Sequence, residues 1–211
     1  MLGIPRMRGD AVDLSNPMRA VAPGVESDVL AVLLRSHAPL TGARVAALAE
    51  RSETQVRVVL RRLQQHGLVE AERHGQSYSY LLNREHVLAP GLEQIHRAMP
   101  TVENMVRSVV QQWTLAPASL VMFGSAARRD GDADSDLDLL LVRDDATNAD
   151  DETWAEQRHA LARDVERWTG NTVQIVDLSE SELAKAVRRK EPLISGLRAD
   201  GIVLAGRDLE L

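Results

Sequence analysis

The stretch ASLVMFGSAARRDGDADSDLDLLLVRDD, Ala118 to Asp145, decides how the second half of this chain folds. Ser119 to Phe123 is a short apolar β run that ends at Gly124-Ser125, and Leu137 to Val142 is another, opened by Asp136 and Asp138. Residues two apart on a strand share a face, so Asp136 and Asp138 present two carboxylates side by side. Like charges this close repel. A divalent cation relieves the repulsion, and hard oxygen donors suit Mg²⁺ or Mn²⁺.

Two other readings of the same residues stand beside this one. Asp130, Asp132 and Asp134 fit the opening of a calcium loop, but Ser135 takes the place of its glycine and Leu141 that of its terminal glutamate. A solvated acidic turn accounts for Asp130 to Asp134. It does not account for Asp136 and Asp138 within an apolar strand, where unpaired burial costs several kcal/mol.

Gly124-Ser125, ten intervening residues and Asp136-Leu137-Asp138 together resemble the signature of the DNA polymerase beta-like nucleotidyltransferase superfamily, in particular its minimal members. The resemblance covers about residues 101–206 and implies a small mixed sheet flanked by helices. It implies that Gly124 and Ser125 approach the phosphates of a nucleoside triphosphate, ATP being the expected one, and that Asp136 and Asp138 hold Mg²⁺ (or Mn²⁺). Glycine permits close backbone approach and serine offers a donor. Arg128 and Arg129 follow on a helix and either meet the triphosphate or are solvated surface arginines.

Members of that superfamily that catalyse add a third carboxylate from a neighbouring strand, which activates the attacking hydroxyl. After an amphipathic helix over Glu152–Trp168, closed by Gly170, the candidate strand runs from Asn171 to Leu178, and the usual position falls on Gln174. Glutamine is neither a base nor a carboxylate ligand. Asp177 is three residues on, the opposite face of a regular strand, and joins the site as its base only through a bulge or strand end. It could instead cap the next helix, for which Ser179 with Glu182 is the better capping box.

The first half reads differently. Residues 1–22 lack any period and read as a mobile leader. Val29, Leu30, Leu33 and Leu34 then recur at helical spacing behind Ser27 as N-cap, with Pro39 past the end. A second helix is expected over Ala43–Glu50 with Val45 and Leu48 inward. A third starts at the capping box Ser52/Gln55, carries the stripe Val56, Val59, Leu60 and Leu63, and stops at Gly67. LVEAERHGQSYSYLLN follows as two strands about His74-Gly75-Gln76, with Leu81 returning to the core.

Three helices and a hairpin over residues 24–88 resemble the winged helix-turn-helix family. The resemblance implies a third helix in the major groove of double-stranded DNA, offering Thr54, Gln55, Arg57 and Arg61, with Arg73 and His74 of the wing near phosphate or the minor groove. Winged helices also serve as docking modules for a protein partner or a second copy of the chain, and residues 21–90 hold only 8 Lys+Arg against 7 Asp+Glu.

Charge separates the halves. Residues 1–110 carry a net +2 and residues 111–211 a net −8, so a polyanion would meet the first half. Absence of cysteine excludes disulfides and zinc-thiolate sites and suits a reducing cytosol. No apolar run reaches the roughly 18 residues of a membrane span, and MLGIPRMRGD lacks a signal-peptide core, so a cytoplasmic protein is expected. Aromatics (Phe123, Tyr78, Tyr80, Trp113, Trp154, Trp168) are too few for the stacking platforms of single-strand binders.

The expected organisation is an α+β chain: leader 1–22, winged helix 23–90, helical connector 91–114 broken at Pro100, and nucleotidyltransferase domain 115–211. The expected activity is Mg²⁺-dependent transfer of AMP from ATP to a hydroxyl of a protein, an RNA or a small molecule. Protein acceptors would be partner toxins, as in the antitoxin members of the superfamily. The competing expectation is a DNA-binding regulator whose transferase domain senses nucleotide without transferring it.

Overall fold

A computed structural model describes residues 11–211 of the chain. The chain divides into two units, one formed by residues 16–98 and the other by residues 99–211 together with the described leader residues 11–15.

In the first unit a 3-10 turn (Pro17–Ala20) precedes α1 (Val25–Arg35), β1 (Leu40–Thr41), α2 (Gly42–Leu48), α3 (Glu53–Gln65), β2 (Val69–His74), β3 (Ser77–Leu82) and α4 (Ala89–His96). The strands pair antiparallel in the order β1-β3-β2. Helices α2 and α3 begin where a local acceptor replaces missing backbone partners: Thr41 Oγ1 accepts from Arg44 N, and Ser52 Oγ accepts from Gln55 N. Val29, Leu33, Val45, Val56 and Leu60 are buried together, each worth about 1.5–3 kcal/mol of burial. This is the expected three-helix unit with its wing.

Four local expectations differ from the structure. Residues 11–20 are not a free leader, because Met18 is fully buried in the first core; residues 1–10 of that segment lie outside the described residues. Ser27 is no N-cap: α1 starts two residues earlier, at Val25, and the Ser27 hydroxyl donates to the carbonyl of Gly24. Leu48 stays exposed, because α2 ends there and only Val45 and Ala46 face the core. In β3 the core residue is Leu82, opposite Val69, so the alternation runs one residue off the Leu81 reading.

The second unit comprises α5 (Ala98–Val110), β4 (Ser119–Phe123), α6 (Gly124–Arg128), β5 (Leu137–Arg143), α7 (Glu152–Thr169), β6 (Val173–Ser179), α8 (Glu180–Arg189), α9 (Pro192–Asp200) and β7 (Ile202–Gly206). The sheet order is β6-β5-β4-β7, with β5 and β6 parallel and the other pairs antiparallel. Leu137, Leu139 and Leu141 face a core that includes Met99, Val102 and Val106 of α5 and Trp154, Leu161 and Val165 of α7. Leu140 and Val142 face Leu183, Ala186, Ile194 and Leu197 of α8 and α9. A continuous apolar run thus becomes a strand buried on both faces.

The helical connector breaks at Arg97, between α4 and α5. Pro100 lies within the first turn of α5, where its missing N–H costs no helical hydrogen bond. Leader residue Val12 is held by the second unit: its N–H donates to Thr169 O at 3.2 Å, and its carbonyl accepts from Asn171 Nδ2 at 3.2 Å.

Candidate functional site

The candidate site sits where β4 ends and β5 begins. Antiparallel pairing sets Phe123 opposite Asp138, so the chain turns into α6 at Gly124 directly beside that carboxylate. Gly124 has φ +74°, and a Cβ there would stand 2.6 Å from Asp138 Oδ2. Two independent constraints therefore require glycine: a left-handed backbone and the carboxylate against it.

Asp136 and Asp138 share one face, as the alternation predicts, and both are partly buried. Burial, and then the charge of Asp136, pushes the Asp138 carboxyl above its ordinary range, while Arg128 pulls it down. Two repelling carboxylates and a glycine that leaves one of them open are a donor set that fits Mg²⁺, an ion bound by one or two carboxylates with substrate phosphates and water completing its shell. Among the described residues no cluster of three or more metal-binding side chains exists. The calcium-loop reading finds no support: Asp132 Oδ1 accepts from Ser135 Oγ and Asp134 N, closing a turn on itself.

Gln174 occupies the third position. Parallel pairing sets it beside Asp138, and its Nε2 donates to Asp136 Oδ2 at 2.5 Å. Asp177 is on the other face of the sheet, in register with Leu141, and is nearly buried. Its Oδ1 accepts from Arg143 at 2.8 Å, and its Oδ2 from Trp154 Nε1 at 2.8 Å and Arg158 at 2.5 Å. No bulge turns β6 here, so Asp177 is not brought to the carboxylate pair, and the capping box that opens α8 is Ser179 with Glu182.

The two arginines after Gly124 separate. Arg128 Nε pairs with Asp130 at 2.9 Å and its Nη1 with Asp200 at 2.5 Å, contacts that hold the guanidinium pKa above its ordinary value. Arg129, at φ +59°, points to Glu103 of α5 at 3.6 Å. Asp200, at the end of α9, is the residue that sequence reasoning misses. Its Oδ1 lies 3.5 Å from Gly124 N and its side chain is 7% exposed. A lone aspartate 62 positions after Asp138 carries no local signal; only the return of α9 to α6 brings it in.

In the first unit, Val56, Val59, Leu60 and Leu63 are buried, which leaves Thr54, Gln55, Arg57 and Arg61 exposed on α3. Between α3 and the wing lies an open groove of about 560 Å³, lined by Arg57, Arg61 and Gln64 on one side and Gln76, Tyr78 and Tyr80 on the other. Glu53 pairs loosely with Arg57 at 3.8 Å. Arg61 has no ion pair among the described residues, whereas Arg73 donates to Gly75 O and His74 lies 3.6 Å from Glu72. Neither unit has a helix long and apolar enough to cross a membrane among the described residues.

The family described as sugar-specific transcriptional regulator TrmB matches residues 24–83, and the nucleotidyltransferase domain family matches residues 102–198. No curated protein matches the chain. Similar solved structures include human N-acetylserotonin methyltransferase, with 19% identity over 47% of this chain and 31% of that one, at a TM-score of 0.28. The chain thus spans about a third of that methyltransferase.

A nucleotidyltransferase structure from Sulfolobus solfataricus has 20% identity over 55% of this chain and 88% of that one, at a TM-score of 0.31. The archaeal chromatin protein TrmBL2 has 16% identity over 82% of this chain and 68% of that one, at a TM-score of 0.27. The two family matches fall on the two units, and the second contains Gly124, Ser125, Asp136 and Asp138: this chain joins a TrmB-type winged helix to a nucleotidyltransferase domain.

Proposed function

We propose that the second unit binds a Mg²⁺-loaded nucleoside triphosphate, ATP before others, and transfers its nucleoside monophosphate with release of pyrophosphate, while the winged helix holds double-stranded DNA. The observation that carries the reading is the approach of Gly124 to Asp138, which keeps a carboxylate pair open beside a backbone turn. Asp136 and Asp138 would hold the metal. When bound, it supplies charge neutralisation at the α-phosphate and at the leaving oxygen. The Gly124-Ser125 backbone and the Ser125 hydroxyl orient the phosphates, and Arg128, held by Asp130 and Asp200, adds its positive charge beside Asp138.

Titration calorimetry of ATP with Mg²⁺ tests this: binding in the wild type, and loss of its Mg²⁺ dependence when Asp136 and Asp138 are both replaced by Asn, are expected. Equal binding by the two proteins refutes the metal site. A second reading draws on the Gln174 to Asp136 hydrogen bond: a DNA-binding regulator that senses nucleotide and transfers nothing. Pyrophosphate release separates the two.

A further inference from the structure

From the surroundings of Gln174 we infer that the acceptor is an oxygen already ionised at neutral pH, a phosphate monoester or a carboxylate, and not the hydroxyl that the family resemblance implies. This rests on the nucleotidyl-transfer reading and names the substrate class for the same site. A hydroxyl must lose a proton as it attacks, and a positioned base receives it. Among the described residues, each candidate base placed against Gln174, Asp138 or Gly124 is spent or absent. Gln174 fills the position beside Asp138 and has no basic oxygen to offer at neutral pH.

Asp177 is on the opposite face and is neutralised by Arg143 and Arg158. Asp200 is engaged by Arg128 and faces Gly124 N, and Asp130 is engaged by the same arginine. Asp136 and Asp138 are committed to the metal. An ionised acceptor needs none of these groups.

Gln174 also changes the electrostatics in that acceptor's favour. It is exposed on β6, the edge strand of the sheet, so an acceptor can reach it from solvent. A third carboxylate there would repel an anion. The amide is uncharged, and by donating to Asp136 it moderates the nearest negative charge. The acceptor oxygen forms a bond to the α-phosphorus, the bond from that phosphorus to the α,β-bridging oxygen breaks, and pyrophosphate leaves with the electron pair. No proton leaves the acceptor, so the step balances without a base.

The test uses the full chain and a matched pair of probes, phenyl phosphate and phenol, which differ in whether the acceptor oxygen is ionised. With ATP labelled in the adenosine and Mg²⁺ present, the wild type is expected to label phenyl phosphate and not phenol. Acetate, trapped as the hydroxamate from its mixed anhydride, tells a carboxylate source from a phosphate one. Gln174→Glu is expected to reverse the preference by about 10²-fold, the scale of a single positioned base.

A readout independent of turnover accompanies this. Calorimetry of phenyl phosphate into protein loaded with Mg²⁺ and α,β-methylene-ATP should show binding in the wild type and at least tenfold weaker binding in Gln174→Glu. Label on phenol in the wild type, or on none of phenyl phosphate, acetate and phenol while ATP binds, overturns the acceptor assignment and leaves the nucleotide site standing. Failure of ATP to bind at all overturns the nucleotide reading, and the acceptor assignment with it.

Discussion

Asp138 Oδ2 lies where only a glycine at residue 124 leaves it free, 2.6 Å from the position a Cβ would take. Gly124→Ala should therefore cost twice, about 1–2 kcal/mol for the left-handed backbone and a further displacement of the carboxylate. Mg²⁺-dependent ATP affinity is expected to fall by at least about tenfold, equivalent to 1.4 kcal/mol. Wild-type affinity in this variant would mean that the turn does not face the nucleotide.

Asp138 also gives a pH signature. Its carboxyl is pushed upward by burial first and by Asp136 second. The folded pKa is raised, so the contribution to stability is fully present below the ordinary aspartate value of 3.8 and is lost as pH rises through the folded value. Asp138→Asn, free of that penalty, should melt at a higher temperature than the metal-free wild type at about pH 7, with the difference closing at about pH 3. A melting difference that does not change with pH would remove the burial argument.

Asp177 should behave as a structural anchor. Its replacement by Ala leaves Arg143, 10% exposed, and Arg158, 24% exposed, without their shared carboxylate and Trp154 Nε1 without its acceptor. Breaking one partner out of a buried pair costs about 3–5 kcal/mol. Urea unfolding should show a loss of that order, while ATP binding well below the melting temperature stays within about twofold. A stable variant with abolished pyrophosphate release would return Asp177 to the chemistry.

On the first unit, Arg57→Ala with Arg61→Ala should weaken DNA binding without unfolding the protein, since both side chains are outside the buried stripe. If both meet phosphate, the slope of log affinity against log salt should flatten by about 1.8, from roughly 0.9 per contact. Filter binding across a salt series measures it. An unaltered slope would place α3 against something other than the DNA backbone.

Much of this was legible in the residues, and the exceptions have physical causes. Gly124-Ser125 and Asp136-Leu137-Asp138 can be read because strand alternation and backbone freedom act over a few residues. Parity alone puts Asp177 on the far face from Gln174, and β6 has no bulge to undo it. The hydrogen bond from Gln174 to Asp136 could not be read, since it needs the register of β6 against β5. Asp200 could not either, because it arrives through tertiary return. Leu81 and Leu48 were misread where a strand phase and a helix end moved by a residue or two, the scale on which periodicity is least informative.

The attachment of Val12 to Thr169 and Asn171 bears on how the protein can be cut. The winged helix is topologically an insertion: the transferase unit is interrupted after residue 15 and resumes at residue 99. A fragment beginning at residue 99 would strip away Val12 O, one of the two acceptors of the Asn171 amide. That same amide also donates to the carbonyl of Ser135, so truncation at the apparent domain boundary would loosen the loop that leads into Asp136.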